Sequence, residues 1–124
     1  MTVKIYLRSI NYKGGKHLAM FDSNGSGDID NLETNVEPGD TIIWKPDCRS
    51  GIKRITGIFS KKGERIIFET DPKKQLFCRG FEFKVPKDAE RGIEEAYSIE
   101  YILSDDTKGI LDPYIRIPPP PTVS

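Results

Sequence analysis

Apolar and polar residues alternate with a period of two in short runs along this chain, the spacing of strands with one face on a core and the other in water. Val3, Ile5 and Leu7 share one face of a first segment, and His17 to Phe21 form a second after the Gly14-Gly15 turn. Leu32, Thr34 and Val36 keep the alternation up to Pro38-Gly39-Asp40, where the proline presets φ for a turn. Thr41 to Lys45 is a run of strong β-formers followed by a loop over Pro46 to Gly51. Ile52 to Phe59 and Arg65 to Phe68 read as a hairpin around Lys61-Lys62-Gly63-Glu64, and Phe81, Phe83 and Val85 share one face of the next strand. Pro86 to Gly92 has the proline start and glycine end of a single helical turn. Tyr97, Ile99, Tyr101 and Leu103 form the longest clean alternation, and Tyr114 to Ile117 supplies a last strand after the Ser104 to Lys108 loop. About eight or nine strands with at most one short helix predict an all-β sandwich or barrel. Pro118 to Pro121 cannot donate to a ladder, so the expected organisation is one domain over 1–117 and a proline-rich tail over 118–124.

Composition narrows the class of partner more than the fold. The 124 residues carry 36% hydrophobic and 31% charged residues, a globular balance. Nineteen basic and nineteen acidic residues cancel, which removes the global field that would draw the chain to nucleic acid or an anionic membrane. Locally the balance is uneven: residues 22–40 hold six acids and no base, and residues 45–84 hold eleven bases against five acids. Such blocks either neutralise each other across neighbouring strands or make a bipolar surface that docks a charged partner or another copy of the chain. No run is long and apolar enough for a membrane span, and Met1 to Ile10 lacks the continuous apolar stretch of a secretory signal. A cytoplasmic location is the expectation, unless a leader has already been removed.

The candidate chemistry is sparse. Cys48 and Cys78 are too few for a disulfide framework and lack zinc-site spacing. Asp22-Ser23-Asn24-Gly25-Ser26-Gly27-Asp28-Ile29-Asp30-Asn31-Leu32-Glu33 fits the twelve-residue EF-hand loop, with Asp22, Asn24, Ser26, Asp28 and Glu33 as candidate calcium ligands. An EF-hand needs a helix on each side, however, and Gly14-Gly15 and Pro38-Gly39 break both flanks. The same residue types also build hairpin turns. His17, the lone histidine, has no identifiable acid partner. Glu94-Glu95 and Asp105-Asp106 are adjacent carboxylates that a strand would point to opposite faces, and both pairs read as solvated. Lys53, Arg54, Lys61, Lys62 and Arg65 are the candidate partner-binding residues; they would suit phosphates only with a stacking motif that the chain lacks. Trp44, Phe81, Phe83, Tyr97 and Tyr101 fall at inward positions and read as core.

Val36-Glu37-Pro38-Gly39-Asp40-Thr41-Ile42-Ile43-Trp44 resembles the cupredoxin segment in which a Pro-Gly-Asp turn feeds a strand ending in an aromatic residue. Tyr97-Ser98-Ile99-Glu100-Tyr101, a loop, Gly109 and a short last strand are similar to the end of that fold. The resemblance implies a Greek-key sandwich scaffold. It also implies where copper ligands would lie, and there the chain has Tyr101, Asp105, Asp106 and Gly109-Ile110-Leu111 in place of the cysteine, histidine and methionine. The expectation is therefore a non-enzymatic, cupredoxin-like module without copper that recognises a protein partner or itself, with no resident cofactor. The alternative is a calcium-binding module using the loop from Asp22 to Glu33.

Overall fold

The computed structural model describes the chain except residues 13, 30–31, 48–50, 62–66, 69, 76–79 and 121–124. Eleven strands form two sheets among the described residues: β1 (Thr2–Tyr12), β2 (Gly15–Asp22), β3 (Gly27–Ile29), β4 (Glu33–Asn35), β5 (Thr41–Pro46), β6 (Ile52–Ser60), β7 (Lys73–Lys74), β8 (Phe81–Lys84), β9 (Ile93–Leu103), β10 (Lys108–Leu111) and β11 (Tyr114–Ile117). The first sheet runs β3-β2-β1-β5-β8-β7, with β1 and β5 parallel and the other neighbours antiparallel. In the second sheet β6 pairs with β9 over Ser60–Tyr97 to Ile52–Leu103. Since a strand has two edges, β10 and β11 must share the other edge of β9, facing Ile99 to Ile102 and Ile93 to Ala96 respectively. Asp112-Pro113 interrupts them, and there the Tyr97 amide donates to the Pro113 carbonyl. Parallel β4 closes the sheet beyond β11.

The alternation read from sequence is what builds this sandwich. Val3, Ile5 and Leu7 from β1, Ile42 and Trp44 from β5, and Phe81 and Phe83 from β8 meet Ile55, Ile58, Tyr97, Ile99 and Ile115 of the second sheet in one buried core. Among the described residues, two buried side-chain hydrogen bonds join the layers. Trp44 Nε1 donates to Tyr97 Oη at 2.9 Å in the core, and Thr34 Oγ1 on β4 donates to Asp22 Oδ2 at the end of β2 at 2.9 Å. Burial pushes the Tyr97 hydroxyl far above the ordinary tyrosine range, so it remains a neutral partner for the indole. Asp40 accepts the Glu37 amide hydrogen on its carboxylate while its own amide donates to the Glu37 carbonyl, and Gly39 sits at φ +88°, the conformation a Pro-Gly turn requires before β5.

Three expectations change. β6 pairs with β9, and of its expected hairpin partner 65–68 the described Ile67 and Phe68 are buried outside any strand, while 65–66 lie outside the described residues. Pro86 to Gly92 forms a turn closed by the Ala89 amide on the Pro86 carbonyl, not a helical turn. The strands number eleven because β3, β7 and β10 add two to four residues each. No helix among the described residues is long and apolar enough to cross a membrane.

Candidate interaction surface

The side of the second sheet turned away from the core is where the unused chemistry collects. Along β9, Glu95, Tyr97, Ile99 and Leu103 point inward, so Glu94, Ala96, Ser98, Glu100 and Ile102 point outward. Register fixes their neighbours: Arg54 and Lys108 flank Ile102, Gly57 and Ile110 flank Glu100, and Phe59 lies beside Ser98. Phe59 is 40% exposed and Ile110 60% exposed, large apolar side chains left uncovered on a sheet face. The Phe59 ring lies over the Cα of Gly57, which a Cβ at that position would block. Between Thr56, Glu100, Ile102, Lys108 and Ile110 runs an open trough of about 560 Å³ whose floor includes Gly109.

Charged groups rim this face. Lys53 Nζ meets Asp106 Oδ1 at 2.8 Å, and that hydrogen bond and charge hold the Asp106 carboxyl below its ordinary range. Lys61 Nζ lies 3.6 Å from Asp112 Oδ1, which also accepts from Ser98 Oγ at 3.3 Å. Two bulges in β6, at Ile52/Arg54 and Ile55/Gly57, twist the strand where Lys53 and Arg54 are exposed. At the other end Glu33 and Glu94 approach each other. Desolvation first, then the hydrogen bond and charge of Glu33, raise the Glu94 carboxyl above its ordinary range against the pull of Arg116.

The structure places Lys53 and Arg54 at the start of β6 and Lys61 just past its end, so only the first two lie together; Lys62 and Arg65 lie outside the described residues, as do Cys48, Cys78 and Asp30. The candidate calcium residues are dispersed over a hairpin. Asp22 Oδ1 accepts the amides of Asn24 and Ser26, both at 3.0 Å, Asn24 Nδ2 donates to the Asn35 carbonyl at 2.8 Å, and Asp28 sits on β3 facing Met20 of β2. Glu33 begins β4, opposite Tyr114. No group of three or more acidic, histidine or cysteine side chains among the described residues is placed to hold a metal. Parts of the acidic block are internal scaffolding: Asp40 takes the Met1 ammonium at 3.4 Å, and Glu37 pairs with Arg91.

Sequence reasoning missed Glu95, which is buried at 2% exposure rather than solvated. Its carboxylate accepts the Ile67 and Phe68 amides and the Ser60 hydroxyl, pinning the 67–68 segment into the core. The signal was its phase: Glu95 falls in step with Tyr97 and Ile99. His17 is half-buried on β2. A smaller hollow of about 370 Å³ beside β7 and β8 interleaves Lys73, Lys74 and Lys84 with Asp71 and Glu82, and exposes no large apolar side chain. No protein-family model matches the chain, and no curated protein is significantly similar to it.

Proposed function

We propose that the chain is a non-enzymatic binding module on a cupredoxin-like scaffold without copper, and that it recognises a protein through the outer face of β6, β9 and β10. The observation that carries this reading is the pair of uncovered apolar side chains, Phe59 and Ile110, beside an open trough and a basic edge, since polar-rimmed apolar patches mark interaction sites. The scaffold reading is supported by the Pro38-Gly39-Asp40 turn that delivers Trp44 to the core, and by β9 returning through a loop at Asp105-Asp106. With one histidine in the chain, the two imidazoles of a blue-copper ligand set cannot be assembled. A cytoplasmic setting belongs to the same reading.

Affinity capture with wild type, Ile110→Asp and, as a control on the other sheet, Lys4→Glu tests it. Proteins retained by wild type and by the control but lost with Ile110→Asp support the assignment. The same set from all three baits overturns it.

A further inference from the structure

The outer face of the second sheet carries opposite charges at its two ends and, between them, the apolar Phe59 and Ile110 beside Glu100 and the mutually paired Lys61 and Asp112, which points to its occupant. Arg54 and Lys108 flank Ile102 at one end, where Asp106 pairs with Lys53 and partly offsets Arg54. Glu94 and Glu33 lie close together at the other, only partly offset by Arg116. Phe59 lies beside Ser98, midway between the ends, and Ile110 one row away. A surface with this arrangement is complementary to itself when turned end for end.

We propose that this face docks on a second copy of the chain about a two-fold axis near the Ser98 row, an inference that rests on reading the face as an interaction surface. Four residues along β9 span about 13 Å, and packed sheets cross at about 30°, so a side chain at the row of Ile102 is displaced sideways by about 6–7 Å. That exceeds the spacing between neighbouring strands of about 4.8 Å. Lys108, which an unrotated partner would set against Arg116, is thereby carried over Glu94 or towards Glu33, according to the hand of the crossing. The two-fold repeats each contact, so every favourable pair occurs twice. The face measures about 26 Å by 15 Å, on the order of 400 Å² per copy, which is half of a standard interface. The dimer is accordingly weak and reversible, held by the central apolar residues and oriented by charge.

Sedimentation velocity from about 5 μM to about 1 mM, at about 50 mM and about 500 mM salt, tests this on the full chain. Wild type should dimerise reversibly, several-fold more weakly at high salt. Lys108→Glu and Glu94→Lys, each checked for folding by circular dichroism, should alone weaken dimerisation about tenfold, because each sets like charges together twice. Mixed in equal amounts they should recover or exceed wild-type association, since both contacts are then attractive, a rescue that an unrelated surface would not give. Wild type monomeric at every concentration and salt overturns the second copy as occupant. If capture of another protein still depends on Ile110, the interaction reading survives that failure. A dimer indifferent to both reversals overturns this face as the contact.

Discussion

Glu95 occupies a position where the alternation of β9 calls for an apolar side chain, and its surroundings explain why a carboxylate is tolerated there. Both oxygens are taken: one by two backbone amides that no strand satisfies, the other by the Ser60 hydroxyl. Glu95→Ala strands the Ile67 and Phe68 amides and should cost about 3 kcal/mol, measured by urea unfolding, whereas Glu95→Gln keeps one acceptor oxygen and should cost less. Equal and small losses would mean that the amides find other partners. Glu94, the next residue, faces water and titrates abnormally because of desolvation and Glu33. A carboxyl whose folded pKa is raised makes the native state bind more protons than the unfolded one, so stability falls as pH rises through that window and stays reduced above it. Glu33→Gln removes the repulsion. It should raise Tm by about 1–2 °C near pH 7, and by less as pH falls and the Glu94 carboxyl takes up its proton.

At the scale of elements, the EF-hand-like string is spent on a β-turn. An EF-hand loop directs its oxygens to a central ion, whereas here Asp22 turns its carboxylate onto two turn amides and Thr34, and Gly27 to Ile29 join the ladder of β2. Millimolar calcium should therefore leave Tm unchanged in a thermal melt, and Asp22→Ala should lower it with or without calcium by stranding those donors. A saturable rise lost in Glu33→Gln would show instead that the loop rearranges around the ion. How much of this was legible follows from length and range. β1, β5 and β9 repeat their period for six to eleven residues and stand out in the sequence. β3, β7 and β10 offer two to four residues, one alternation at most. The pairing of β6 with β9 was not legible because sequence neighbours suggest a hairpin, while this pairing joins residues 37 to 51 positions apart through core packing. The basic candidates Lys53 and Arg54 were visible as residue types. Their convergence with Phe59, Ile102 and Ile110 was not, since it depends on which strands are neighbours across the sheet.

For the whole molecule, the question is what keeps two sheets in one fixed arrangement when apolar burial alone has no direction. The chain crosses between the layers repeatedly, as in Greek-key sandwiches, and its parallel pairs β1–β5 and β4–β11 form only after such crossings. The Trp44–Tyr97 hydrogen bond supplies a directional tie at the centre, with the two rings edge to face at 5.7 Å and Phe68 packed edge-on to both. Trp44→Phe removes the donor and opens a void, and should cost about 2–4 kcal/mol, or about 8–16 °C in Tm for a chain of this size. Tyr97→Phe keeps the ring but leaves the indole N–H without its acceptor, for about 1–3 kcal/mol. The double variant strands neither group, so its loss should fall short of the sum of the two by about 1 kcal/mol or more. Circular dichroism must follow the unfolding, because Trp44 is the only tryptophan and its fluorescence disappears in two of the three variants. Strict additivity would mean that the bond contributes nothing beyond the volume of the two rings, and that the register of the sheets is set by packing alone.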